Sequence, residues 1–163
     1  MKIKTQDLIG VALDWAVAKT LGYTVSVYTY EDWTANMTPL EQELVKQTDA
    51  IQRNFKPKPA FVGEDGTKHL SSMKFYAAHG SGCGTMQFSS SWSQAGGIIE
   101  REEIGLKRNA PCSNGRQWEA SPSITAKGAG RKYGYGPTPL IAAMRCYVAS
   151  KLGDEVDIPE ELV

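Results

Sequence analysis

The sequence predicts an α+β fold, a single domain over residues 1–163 in which an antiparallel sheet with long glycine-rich loops is packed by helices near the two termini. Three observations lead there. Apolar residues recur at helical spacing, between start and stop signals, near both ends of the chain. A run of β-branched and aromatic residues follows the first of these helices. From Gly63 to Gly136 short extended pieces alternate with glycine-rich connections, the pattern of strands joined by turns. A chain of this length buries about 70% of the surface its unfolded form exposes, so it needs no disulfide staples.

In chain order, Thr5 is placed to cap a first helix, with Asp7 in its first turn, Leu8, Val11 or Ala12, Trp15 and Ala18 or Lys19 at helical spacing, and Gly22 as its stop. Tyr23 to Tyr30 reads as a strand. A second, polar and peripheral helix starts at Thr38, where Pro39 and Glu41 complete a capping box, and ends before Lys56-Pro57-Lys58-Pro59. Phe75 to Ala78, Met86 to Ser89, Gly97 to Ile104 and Arg116 to Glu119 read as strands. The last helix carries the clearest signals: Thr138 as cap, Pro139 in first position, a stripe of Leu140, Ile141, Met144, Val148 and Leu152, Lys151 in the last turn, and Gly153 as terminator.

The formal net charge is zero, from 18 Lys and Arg against 18 Asp and Glu, which excludes a wholly basic nucleic-acid coat and a wholly acidic tail protein. The charges are not evenly spread. Residues 1–104 hold 10 bases and 12 acids, residues 105–153 hold 8 bases and one acid, and the last ten residues hold five acids and no base. A local excess of seven positive charges can hold phosphate in a molecule with no net charge. The alternative is an acidic tail folded back on the basic segment.

The Met1-Lys2-Ile3-Lys4 start carries no apolar leader, and no stretch has the length of a membrane span. The three cysteines, 83, 112 and 146, form no Cys-x-x-Cys pair, which suits reduced thiols in a cytoplasmic setting. His79 and Cys83 make half a metal site at most, so no metal ligands are assigned, and no cofactor is called for.

The most informative stretch runs from Lys127 through Arg131, Lys132, Tyr133 and Tyr135 to Thr138. It joins cations and aromatic rings to a helix N-terminus, where unpaired N–H groups and the helix dipole favour an anion. Rings beside cations add base stacking. The other reading is a solvated surface loop. Gly80-Ser-Gly-Cys-Gly84 lacks the spacing and the βαβ surroundings of a dinucleotide fingerprint. In Ile98-Ile-Glu-Arg-Glu-Glu103, a strand places Glu100 and Glu102 on one face and Arg101 on the other. With no nucleophile or base beside these carboxylates, no catalytic residue is assigned. Trp92, set among serines, is a stacking platform or a core anchor.

Three separated blocks, Leu13-Asp-Trp-Ala-Val-Ala-Lys19, Ser91-Trp-Ser-Gln-Ala-Gly-Gly-Ile-Ile-Glu-Arg-Glu102 and the stretch from Gly136 to Val156, together resemble the NinX-like proteins of lambdoid phages. The resemblance leaves residues 31–88 unmatched, as an insertion within the domain would be. It implies a small phage accessory protein working in the bacterial cytoplasm, and no settled activity.

These readings converge on a protein that binds and sequesters a nucleotide-type host immune signal, a cyclic nucleotide or an ADP-ribose derivative, without catalysis. Arg131, Lys132 and the helix start at Thr138 would hold phosphate, Arg101 would add a bidentate contact, and Trp92, Tyr133 or Tyr135 would stack on a base. A homo-oligomer enclosing the ligand suits that role. The alternatives are a DNA- or RNA-binding accessory factor and a protein–protein inhibitor of a host enzyme.

Overall fold

The computed structural model describes residues 1–80, 84–109, 115–122 and 132–163. It is α+β. Its helices are α1 (Gly10–Thr20), α2 (Tyr30–Ala35), α3 (Pro39–Lys46), α4 (Asp49–Asn54), α5 (Met73–His79), α6 (Trp92–Arg101) and α7 (Pro139–Leu152). Its strands form three antiparallel sheets among the described residues. β1 (Lys2–Lys4) pairs with β8 (Glu155–Asp157); β2 (Val25–Tyr28), β3 (Lys58–Val62) and β4 (Lys68–His69) follow one another in a second sheet; β5 (Ile104–Arg108), β6 (Trp118–Pro122) and β7 (Gly134–Gly136) make the third. The one sheet expected from sequence is thus divided, because α5 and α6 stand in the chain between β4 and β5 and carry it from one sheet to the next.

The last helix has the bounds its signals give. Thr138 Oγ1 accepts from the Ile141 N–H at 3.2 Å, Pro139 follows it, and Gly153 ends the helix at φ 94°. The expected stripe is too narrow, however. Ala142, Ala143, Arg145, Cys146, Tyr147 and Ala149 are buried alongside Leu140, Met144 and Val148, while Leu152 is largely out of the core. The β5–β6–β7 sheet, α1 and α6 all pack against α7, so nearly its whole circumference is interior. The core around it gathers Leu8, Leu13, Val17, Phe75, Phe88, Ile98 and Ala120.

Elsewhere tertiary context overrides the local reading. Thr5 does not cap α1: it lies buried in a short 3-10 turn, Thr5–Asp7, and its hydroxyl donates to the Gly153 carbonyl at 2.7 Å, joining the two ends of the chain. The strand after α1 is shorter than expected. Thr29 and Asp32 form a capping box that opens α2 at Tyr30, the same device that opens α3 at Thr38 and Glu41. The polar second helix is broken at Gln47-Thr48 into α3 and α4, and no residue of α3 is buried.

Phe75 to Ala78 is not a strand but part of α5, whose start is fixed by Ser72 Oγ accepting from the Phe75 N–H. Met86 and Gln87 are irregular, and Phe88 to Ser90 form a turn. Gly97 to Ile104 is a helix as far as Arg101 and a strand only from Ile104. Buried Ala95 and Ile98 sit three residues apart on the interior side of α6, and the two glycines between them meet no neighbouring atom within 4 Å. A spacing of three serves a helix face, not a strand face. Arg116 precedes β6, which begins at Trp118.

Candidate functional site

The β5–β6–β7 sheet sorts its residues by strand alternation. Leu106, Ala120 and Gly134 are partners across the three strands on the side of α7, and Lys107, Glu119 and Tyr135 are partners on the opposite, outer side. Gly134 and Gly136 let β7 lie against the helix: a Cβ at Gly134 would stand 2.1 Å from the Ala142 carbonyl oxygen and 2.4 Å from the Cys146 nitrogen. Gln6 covers the open edge of β7, donating to the Tyr133 carbonyl at 2.6 Å and accepting from the Tyr135 N–H at 3.0 Å. On the outer side the Arg116 guanidinium lies 4.4 Å from the Tyr135 ring centroid, within cation–π range.

The basic segment therefore does not act as one patch. Arg145 is 8% exposed and is committed to the fold, donating from Nε to the Leu8 carbonyl at 2.9 Å and from Nη1 to the Tyr135 carbonyl at 2.6 Å. Lys151 reaches Glu102 at 2.9 Å, and Lys132 reaches Asp154 at 2.6 Å. Lys107, Arg108 and Arg116 are exposed along β5 and just ahead of β6. The acidic tail is turned elsewhere: β8 sets Asp157 opposite Lys2 and Glu155 opposite Lys4. Of the tail's acids, only Asp154 forms an ion pair with the basic segment, at Lys132, among the described residues.

The residues expected to gather at a phosphate site are distributed as follows. Arg131 lies outside the described residues. Lys132, Tyr133, Tyr135 and Thr138 follow one another along β7 and the start of α7, with Tyr133 partly exposed and Thr138 exposed. Trp92 and Arg101 are the first and last residues of α6, about 14 Å apart along a helix that rises 1.5 Å per residue. Trp92 is not a loop residue but stands more than half exposed at that helix start, and Arg101 is paired with Glu102 at 3.2 Å. Arg101 also acts on His79, which burial first, and this guanidinium second, hold below the ordinary imidazole range.

Grooves also lie outside that set, two of them sharing Leu70. One, of about 580 Å³, is bounded by Tyr28, α2 and the residues from Gly66 to Ser71. The other, of about 340 Å³, is lined by Val11, Asp14, Lys58, Pro59 and the Thr85–Gln87 segment, and Leu70 borders both. Asp14 is 5% exposed and accepts the Ser89 N–H at 2.7 Å. Burial outweighs that bond and pushes its carboxyl up to about 6. Sequence reasoning passed over Asp14, although a lone acid in the apolar Leu13-to-Ala18 run signals a buried polar contact. It also passed over Tyr28, Asp32 and Lys68, which no local pattern links. Among the described residues no three His, Cys, Asp or Glu side chains gather as metal ligands, and no helix is long and apolar enough to cross a membrane.

Comparison with protein families finds that residues 4–151 match the model described as bacteriophage P22 NinX. The chain belongs to this phage NinX family. No curated protein matches it. The family match runs through residues 31–88 as well as the flanking elements, and stops before β8. The three blocks that resemble NinX-like proteins become α1, α6 and the β7–α7–β8 stretch, and both α1 and α6 pack on α7. In this NinX-family chain those blocks form the scaffold, and each holds one buried polar residue, Asp14, Gln94 or Arg145, bonded to loop backbone.

Proposed function

We propose that this phage protein binds a nucleotide-type small molecule, a cyclic nucleotide or an ADP-ribose derivative, and withholds it from host signalling in the bacterial cytoplasm without changing it. The observation that supports the reading is the outer side of the third sheet, where Arg116 stacks over Tyr135, Lys107 lies two strands away across Glu119, and β8 of the acidic tail is engaged with β1 instead. A ring that already holds a cation on its face offers a base a stacking partner, and the neighbouring cations offer phosphate a counter-charge. Thr138 extends this surface toward the α7 N-terminus, Lys132 would join it by exchanging Asp154 for phosphate, and a second copy of the chain would enclose the ligand. Trp92 and Arg101 stand at the two ends of α6 and are not used in this reading.

Calorimetric titration of the full chain with cyclic dinucleotides and ADP-ribose derivatives tests it, followed by heat release and analysis of the ligand. The expected result is binding with intact ligand recovered, weakened about fivefold or more in Tyr135→Ala through the lost stacking. Absence of binding across the panel overturns the reading, and recovery of altered ligand makes the protein an enzyme. Binding of long nucleic acid that collapses with added salt would favour the polymer-binding alternative, for which the open sheet face is also suited.

A further inference from the structure

We propose that the groove between α2 and the β3–β4 hairpin is a second binding site, for a nucleoside monophosphate, with the phosphate at Tyr28, Lys68 and Ser71. It lies on a different sheet from the surface discussed above and does not depend on that surface binding anything. The volume of about 580 Å³ is in the range of sites for small ligands.

The polar atoms of its wall favour an acceptor-rich ligand. Tyr28 is 9% exposed, yet among the described residues its hydroxyl finds only the Asp32 carbonyl and the Asn36 side-chain nitrogen, each at 3.4 Å. Hydroxyl bonds to oxygen are usually about 2.7–2.8 Å, so this buried phenol is poorly satisfied and gains from an oxyanion within its reach. Lys68 spends one of its three donors on Asp32 at 2.8 Å and keeps two. Asp32, the obvious repulsive group, has its Oδ2 engaged by Lys68, by the Thr29 backbone N–H at 2.8 Å and by the Thr29 hydroxyl at 3.0 Å. Those contacts hold α2 against β4 and fix the groove's width. Ser71 adds an exposed hydroxyl at the rim. A phosphate ester supplies three acceptor oxygens and nearly two negative charges, which this wall can meet.

The rest of the ligand has a place beside it. Leu70 borders both grooves, and the neighbouring one presents Val11, Pro59 and Met86 as apolar walls with the Asp14 carboxyl among them. A planar base fits between apolar walls, and its amino or imino N–H groups are the kind of donor a buried carboxyl accepts. That geometry points to a nucleotide and away from free phosphate.

The test is a titration of the ¹⁵N-labelled full chain, followed by amide chemical shifts, with inorganic phosphate, adenosine 5′-monophosphate and guanosine 5′-monophosphate as probes. The expected result is saturable shifts at Gly66 to Ser71 and at Tyr28, with a nucleotide bound more tightly than phosphate. Lys68→Gln should raise Kd about tenfold, and Tyr28→Phe and Ser71→Ala about threefold each, the usual scale for one charged and one neutral hydrogen bond. Ser71→Ala is at the exposed rim and keeps the test valid if either other variant fails to fold. Shifts confined to Lys107, Arg116 and Tyr135 would overturn this proposal and leave the sheet-face reading standing. An unchanged Kd in Lys68→Gln and Ser71→Ala would overturn it as well, and a nucleotide no tighter than phosphate would remove the second groove from the site.

Discussion

Among the described residues Thr5, Asp14, Gln94 and Arg145 are the polar side chains taken into the interior, and each is used to hold backbone that no helix or sheet satisfies. Gln94 is the most fully used: it donates to the carbonyls of Gly80 and Thr85 at 3.3 and 2.7 Å and accepts from the Gln87 N–H at 2.8 Å, clamping the loop that precedes α6. Asp14 differs from the others because it titrates. In the folded protein it keeps its proton to about pH 6, whereas its ordinary value is 3.8, so between those limits the folded state binds more protons than the unfolded one. Its contribution is thus fully present below about pH 4 and is lost as pH rises through 6. Urea unfolding of wild type and Asp14→Asn across pH 4 to 7.5 should show the variant gaining on wild type by about 2.5 kcal/mol over that span. A constant difference would mean that Asp14 is ionised throughout. Cys146 is the opposite case, a thiol pushed up to about 11 by burial and donating to the Lys132 carbonyl at 3.2 Å, hence unreactive at neutral pH.

Among the elements, α7 shows how local signals and tertiary demands combine. Its cap, its proline and its terminal glycine are all local, and its bounds were legible. Its surroundings were not, because a helix covered on every side by partners distant in sequence carries no face pattern of its own. β7 reaches it through Gly134, where a side chain would collide with helix backbone that cannot move aside. Gly134→Ala should cost about 3 kcal/mol or more, as overpacking against fixed atoms does. Gly97→Ala, at a helical position with no atom within 4 Å, should instead stabilise by about 0.5–1 kcal/mol in the same thermal unfolding series. A destabilised Gly97→Ala would argue that this segment is the strand its β-branched isoleucines suggest. The α3–α4 pair marks the other extreme: Leu40 and Leu44 are 72% and 57% exposed, and α3 is held by its capping box, while α4 has no side-chain cap and is held by short local bonds.

For the whole molecule, the ends of the chain are structural. Met1 donates from its amino group to the Ile158 carbonyl at 2.8 Å, Thr5 bonds Gly153, and Val156, Ile158 and Leu162 enter the core. Removal of residues 154–163 should therefore cost about 5 kcal/mol, since each of three buried aliphatic side chains contributes roughly 1.5–3 kcal/mol. That is a large part of the stability of an ordinary domain. Neutralising the tail by Asp154→Asn, Glu155→Gln and Asp157→Asn together should cost far less, because exposed ion pairs contribute about 0–1 kcal/mol. Equal losses in the truncated and the neutralised protein, measured by urea unfolding, would make the tail an electrostatic cover after all. By itself the sequence determined the α+β class, the capped starts at Thr38 and Thr138, the stop at Gly153, the uneven placing of charge and the phage family, because each of these is written in neighbouring residues. Only the tertiary structure decided that the Trp92–Arg101 segment is helical, that the acidic tail pairs with β1, that Arg145 is a strut rather than a phosphate ligand, and that Tyr28 meets Lys68 across a groove. These outcomes depend on contacts between residues far apart in the chain, whose burial outweighs the small local preferences from which a sequence is read.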